Sequence, residues 1–172
     1  MKNRKGFTLI EILIVVAIIA ILASVVLVGL GPTQSSGRDA RRLSDLRQTM
    51  NGLELYYNKC GYYPGTSVAT PCAAFAQISS DGWNGMSASL TGSGIGISVV
   101  PRDPVAGHTY FYGTTAAGSS YIVAATLENL NNSVFTSYSA PSVTGYTLSG
   151  NTGATNTFTS CSAPSGTYCL TL

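Results

Sequence analysis

Glu11 is the most chemically consequential residue of this 172-residue chain. It sits inside Phe7–Leu30, FTLIEILIVVAIIAILASVVLVGL, a run that is otherwise apolar. An ionisable side chain in such a run is costly in lipid and marks a function whose partner must be named. Other reactive types are few. His108 is the only histidine, and no Ser or Cys nucleophile stands in evident relation to it. Asp81, Asp103 and Glu128 are too scattered to argue for a carboxylate pair, and no phosphate-binding loop is present. Cys60, Cys72, Cys161 and Cys169 have no CxxC spacing and only His108 to complete a ligand set, so a metal is not expected. The residues predict a protein that is not an enzyme and needs no cofactor.

The four cysteines all follow the apolar segment. An even count in an exported domain predicts two disulfides, for which three pairings exist. Cys60–Cys72 with Cys161–Cys169 is favoured, because each bridge closes a short loop.

These residues must be positioned by three kinds of chain. Residues 1–6 are basic, with Lys2, Arg4 and Lys5. Positive charge before an apolar segment holds that end in the cytoplasm. Ile12–Leu30 contains 19 residues without a charge. As a helix they span roughly 28 Å, close to the hydrocarbon core of a bilayer. An ordinary signal peptide has a shorter apolar region and a small-residue cleavage site after it, which this chain lacks. A plain membrane anchor leaves Glu11 unexplained. Beyond residue 30 the chain is polar but nearly uncharged. Twelve of the sixteen charged residues lie in the first 59 positions. The 45% hydrophobic content argues against disorder. Nine Lys and Arg against seven acids argue against a strongly basic nucleic-acid binder.

Gly6-Phe7-Thr8-Leu9-Ile10-Glu11, between a short basic leader and a long apolar run, resembles the amino terminus of type IV pilins and the type II secretion pseudopilins. The resemblance implies cleavage between Gly6 and Phe7 by a membrane-embedded prepilin peptidase, which also methylates the new Phe7 amine. It implies that Glu11 is the assembly glutamate, paired with the amine of a neighbouring subunit. The charge arithmetic agrees: losing Lys2, Arg4 and Lys5 takes side-chain charge from +2 to −1, and opposite charges attract far more strongly in a low dielectric than in water. The expected fold is α+β: a long amino-terminal helix, half membrane-embedded and half amphipathic, packed on a small antiparallel sheet.

The expected organisation is a leader at 1–6, a transmembrane or filament-core helix at 7–30, an amphipathic helix at 31–60, a loop region at 61–105 and a sheet-bearing head at 106–172. Many members of the family carry a helix-breaking proline where this chain has Val28; here Gly29-Leu30-Gly31-Pro32 places a kink or local melting at 29–35. Ala40, Leu43, Leu46, Met50, Leu53 and Tyr57 recur at helical spacing and predict the buried face. Arg38, Asp39, Arg41, Arg42, Asp45 and Arg47 read as a solvated face, or as contacts to lipid headgroups or to acids of adjacent subunits. Gly52 weakens this helix, and Gly61 is placed to cap it. Leu55-Tyr56-Tyr57 followed by Gly61-Tyr62-Tyr63-Pro64 is a second family-like pattern, and Pro101-Arg102-Asp103-Pro104 before Tyr110-Phe111-Tyr112 resembles secretion pseudopilins.

Tyr110–Tyr112 and Tyr121–Leu127 read as a hairpin, with further strands at Thr144–Ser149 and Tyr168–Leu172. No charged side chain follows Glu128, and 25 of the 42 residues from Asn131 onward are Gly, Ser, Thr or Asn. That composition reads as surface β-structure with long turns, or as an exposed filament surface glycosylated at the Asn131-Asn132-Ser133 sequon.

The leading reading is a type IV pilus-like filament subunit, held first as a single-pass protein of the inner membrane with its head outside. The family implies an assembly platform with a cytoplasmic ATPase, a homo-oligomeric helical filament on the cell surface, and nucleic-acid contact only through DNA uptake. The runner-up is a type II secretion pseudopilin in a periplasmic pseudopilus. A non-assembling, membrane-anchored binding module is the third.

Overall fold

The computed structural model describes residues 6–65, 72, 82–150, 158 and 160–172. Lys2, Arg4, Lys5 and Asp81 lie outside the described residues. The chain forms two compact units, one up to Gly37 and the other from Arg38 to Leu172.

Helix α1 runs from Leu9 to Cys60 and carries Pro32 within it. Of the kink or local melting expected at 29–35, the melting is corrected: residues 29–35 are all helical. Proline's fixed φ is compatible with helical backbone, and its missing N–H removes one bond from the ladder without ending it. In the first unit, the large apolar side chains from Phe7 to Val26 are between 51% and 84% exposed.

The second unit builds the head on a four-stranded antiparallel sheet, order β3-β1-β2-β4. Its strands are β1 Phe111–Thr115, β2 Tyr121–Thr126, β3 Tyr146–Ser149 and β4 Thr167–Thr171. The hairpin pairs Phe111 with Ala124 and Thr114 with Tyr121. Strand alternation assigns two cores. Tyr112, Tyr121, Val123 and Ala125 face α1, where they meet Leu46, Leu53, Tyr56 and Cys60. Phe111, Ile122 and Ala124 face the other way, against Phe158 and the Cys161–Cys169 bridge. The nearly uncharged carboxy-terminal segment thus covers the second face of the sheet. That is why β2, Tyr-Ile-Val-Ala-Ala-Thr, reads as a continuous apolar run with no polar face.

The loop expected at 61–105 contains helix α2, Gly82–Gly92. Its glycines and serines argue against a helix by propensity. Trp83, Met86 and Leu90, at spacings of three and four, carry the helical signal and are buried in the α1 core. Gly52 of α1 has a spatial role here: a Cβ at that position would lie 2.8 Å from Ile97 Cδ1 and 3.4 Å from Leu90 Cδ1. Gly61 ends α1 at φ +81°, its N–H donating to Tyr57 O at 2.7 Å, an αL cap. Bridges join Cys60 to Cys72 and Cys161 to Cys169.

Candidate functional site

Gly6 and Phe7 precede the helix and are exposed, Phe7 by 84%. The peptide bond between them is outside regular structure, as a cleavage site needs to be. Thr8 is the residue before the first helical position, and Glu11 is the third position of the helix. Both the backbone N–H and the hydroxyl of Thr8 donate to Glu11 Oε2, each at 2.7 Å. The Glu11 N–H lies 3.4 Å from Thr8 Oγ1, completing the reciprocal arrangement of a capping box. The box is made by Thr8 and Glu11 alone among the described residues, and both lie after Gly6.

The arrangement does two things chemically. It satisfies free N–H groups at the helix start, and it places a carboxylate against the positive end of the helix dipole. It also gives Glu11 a partner within its own chain, so the carboxylate of a lone subunit is hydrogen-bonded. The Thr-x-x-Glu spacing at 8–11 was legible in the sequence and marks this role for Thr8, which the motif-based reading passed over.

The charged segment after residue 37 behaves differently from the expected solvated face. Arg42 is fully buried, as is Asp39, and Asp45 is 8% exposed. Arg42 holds Asp103 bidentately, Nε to Oδ2 at 2.8 Å and Nη2 to Oδ1 at 3.0 Å. Its Nη1 donates to Asp39 at 2.8 Å and to Glu128 at 2.7 Å. Arg38 also pairs with Glu128, its Nε donating at 2.8 Å. Asp39 accepts the backbone N–H groups of Glu128 and Asn129, both at 2.9 Å. Asp103 and Glu128, read as scattered acids, therefore meet on one guanidinium and tie α1 to the Pro101–Pro104 loop and to the end of β2. Hydrogen bonding from Arg38 is the leading cause that pulls the Glu128 carboxyl down to about 2, opposed by burial and helped by Arg42. Burial works against the charge of Arg42, but hydrogen bonds to Asp103, Glu128 and Asp39 hold its pKa above the ordinary value.

The buried face of α1 is accordingly rotated from the expected one. It runs through Asp39, Arg42, Leu46, Thr49, Leu53, Tyr56 and Cys60, whereas Ala40 and Tyr57 are exposed. Farther along, Asp45 accepts from Tyr110 Oη at 2.8 Å, and Glu54 accepts from both Tyr63 and Tyr121. Arg41 and Arg47 remain exposed. His108 lies before β1, its backbone N–H donating to Val105 O at 3.1 Å.

Residues 1–27 match the family model of the prokaryotic N-terminal methylation motif. The chain is similar to the type IV wide pilus major component PilA4 of Thermus thermophilus, 45% identical over 56 residues, 33% of this chain and 43% of the relative. It is also similar to type II secretion system core protein G of Escherichia coli, 34% identical over 65 residues, 38% of this chain and 45% of the relative. The chain thus spans less than half the length of the curated relatives it matches. No solved structure matches. The exposed Gly6–Phe7 bond, the Thr8–Glu11 cap and the apolar helix that follows are therefore the parts of a prokaryotic N-terminal methylation motif, which opens a chain similar to a type IV pilus component and to a type II secretion core protein.

Proposed function

We propose that this chain is a structural, non-catalytic subunit of a type IV pilus-like filament. A prepilin peptidase cuts between Gly6 and Phe7 and methylates the Phe7 amine. The mature subunit waits in the inner membrane with its head outside. An assembly platform driven by a cytoplasmic ATPase then moves it into a homo-oligomeric helical bundle, where the apolar residues 7–30 exchange lipid for neighbouring helices. The observation that carries this reading is the methylation motif over residues 1–27, which runs into a helix long and apolar enough to cross a bilayer whose apolar stretch holds one carboxylate, Glu11. The exposed side chains of Phe7–Val26 need an apolar surrounding, which lipid supplies first and a bundle supplies later.

Glu11 gives the bundle its register. In the lone subunit its carboxylate is held by Thr8. In the filament it also faces the amine of a neighbour, and the pairing gains strength from the low dielectric of the bundle. Glu11→Ala tests this. The variant should accumulate in the membrane, cleaved after Gly6, yet be absent from filaments sheared off the cell. Leu13→Ile, which keeps the segment apolar, should assemble. Normal numbers of fibres built from Glu11→Ala alone would remove Glu11 from assembly.

A pseudopilus subunit of a type II secretion system is the second reading. Pro101-Arg102-Asp103-Pro104, whose Asp103 is organised by Arg42, supports it, as does the similarity to core protein G. Electron microscopy separates the two: surface fibres containing this chain favour the pilus, and periplasmic confinement with a secretion defect on deletion favours the pseudopilus.

A further inference from the structure

Strand β4, Thr-Tyr-Cys-Leu-Thr, forms one edge of the sheet. Its residues favour extended backbone, it contains no proline, and no charged side chain follows Glu128. An edge strand presents a row of backbone N–H and C=O groups with which another chain can pair, and charge or proline commonly blocks it. β4 has neither.

Bonding alternates along an antiparallel pair. Leu172 donates its N–H to Tyr121 O at 3.4 Å, so Tyr168, Leu170 and Leu172 turn their backbone groups toward β2. Thr167, Cys169 and Thr171 turn theirs outward. The place at Thr167 is filled by Ser162, through two backbone bonds of 3.1 and 3.2 Å. At Cys169 the partner is a side chain. The Tyr138 hydroxyl accepts the Cys169 N–H at 2.9 Å and donates to Cys169 O at 3.4 Å. One phenol thus does for Cys169 what a neighbouring strand would do with two backbone groups. The Tyr138 ring is fixed by Tyr168, 5.0 Å away, and by Phe135, 5.8 Å away. The backbone N–H of Tyr138 donates to Phe135 O at 3.4 Å, at the end of the 3-10 turn Ser133–Phe135.

We propose that Tyr138 guards the β4 edge, its phenol occupying the backbone site that an extended strand would otherwise take. The partner it excludes is a second copy of this chain, laying its own β4 antiparallel against this one. Such a pairing is symmetric, and neither strand carries a charge to oppose it. The guard belongs to the head and does not depend on the filament reading.

Tyr138→Ala, in the full chain in detergent, opens the edge. Light scattering should show a dimer, larger than the wild-type particle, which has the same α1 and is measured at the same concentration. Thr171→Pro supplies the control: the N–H it removes points away from β2, so the ladder stays while the edge is blocked. Added to Tyr138→Ala, it should restore the wild-type size. Tyr138→Phe keeps the ring against Tyr168 and Phe135 and removes only the hydroxyl. The Cys169 amide should then exchange with solvent about tenfold faster or more. A Tyr138→Ala chain of wild-type size, an association that Thr171→Pro leaves in place, or unchanged exchange at Cys169 in Tyr138→Phe would each overturn the proposal.

Discussion

The amino-terminal segment and the head handle charge in opposite ways. At the amino terminus a single carboxylate is satisfied by a residue three positions away, and the large apolar side chains from Phe7 to Val26 on either side of it are exposed. In the head, Arg42 is satisfied not only by Asp39 on its own helix but by Asp103 and Glu128, 61 and 86 residues farther along, and nothing of its side chain reaches solvent. The first arrangement leaves Glu11 able to exchange or add partners without unfolding anything. The second cannot change partners without opening the head. A subunit that must move from lipid to a protein bundle needs the first kind of site at its mobile contact and the second kind in the part that keeps its shape.

The sharpest way to break the head and spare the amino terminus is Arg42→Met. It leaves Asp39, Asp103 and Glu128 with a buried guanidinium missing, and removing one partner from a buried ion pair costs about 3–5 kcal/mol. Thermal unfolding should show a large fall in Tm, while membrane insertion and cleavage after Gly6 continue unchanged. An unaltered Tm would mean that the network contributes nothing to head stability. Next comes the bridge at the far face of the sheet. Cys161→Ala with Cys169→Ala should cost about 2–5 kcal/mol, typical of a native bridge in a small exported domain. Limited proteolysis would then cut first in the carboxy-terminal segment that covers Phe111 and Ile122.

Acid separates the two regions more gently. The Glu128 carboxyl is held near 2 in the folded head, below its ordinary value of 4.5. A depressed folded pKa adds stability that is fully present above the unfolded value and disappears as pH falls toward the folded one. Head stability should therefore decline between about pH 4.5 and pH 2. Glu128→Gln should flatten that part of the pH profile; an identical profile in the variant would place the acid sensitivity elsewhere. The smallest effect belongs to the amino terminus itself. Thr8→Val removes the hydroxyl of the cap and should destabilise the first turn of α1 by about 0.5–2 kcal/mol, whereas Thr8→Ser should not. Amide exchange at Leu9–Glu11 in detergent reads it directly, and equal protection in the two variants would remove the hydroxyl from the account.

The same contrast explains what was legible in the sequence. Gly6, Phe7 and Glu11 are adjacent in the chain, so their motif is visible without a fold, and the capping box at Thr8 and Glu11 is equally local. The strands were legible because Tyr121–Thr126 and Thr167–Thr171 carry apolar and β-branched residues between turns. The inward face of Asp39, Arg42 and Asp45 was not, because periodicity counts apolar residues and these three are buried by partners that lie far away in the chain. Helix α2 was hidden by its glycines, whose low propensity is overridden by the packing of Trp83, Met86 and Leu90. The helix through Pro32 shows the limit of a single breaker residue: one lost hydrogen bond does not end a helix that continues on both sides.

On the proposed function, Gly6–Phe7 is a processing site and the apolar helix behind it forms the shared interior of a filament. Intact-mass and amino-terminal peptide analysis of this chain from sheared fibres tests it most directly. The expected subunit begins at N-methylated Phe7, with Glu11 and all of α1 retained. A subunit that keeps residues 1–6, or that begins beyond residue 30, would contradict it.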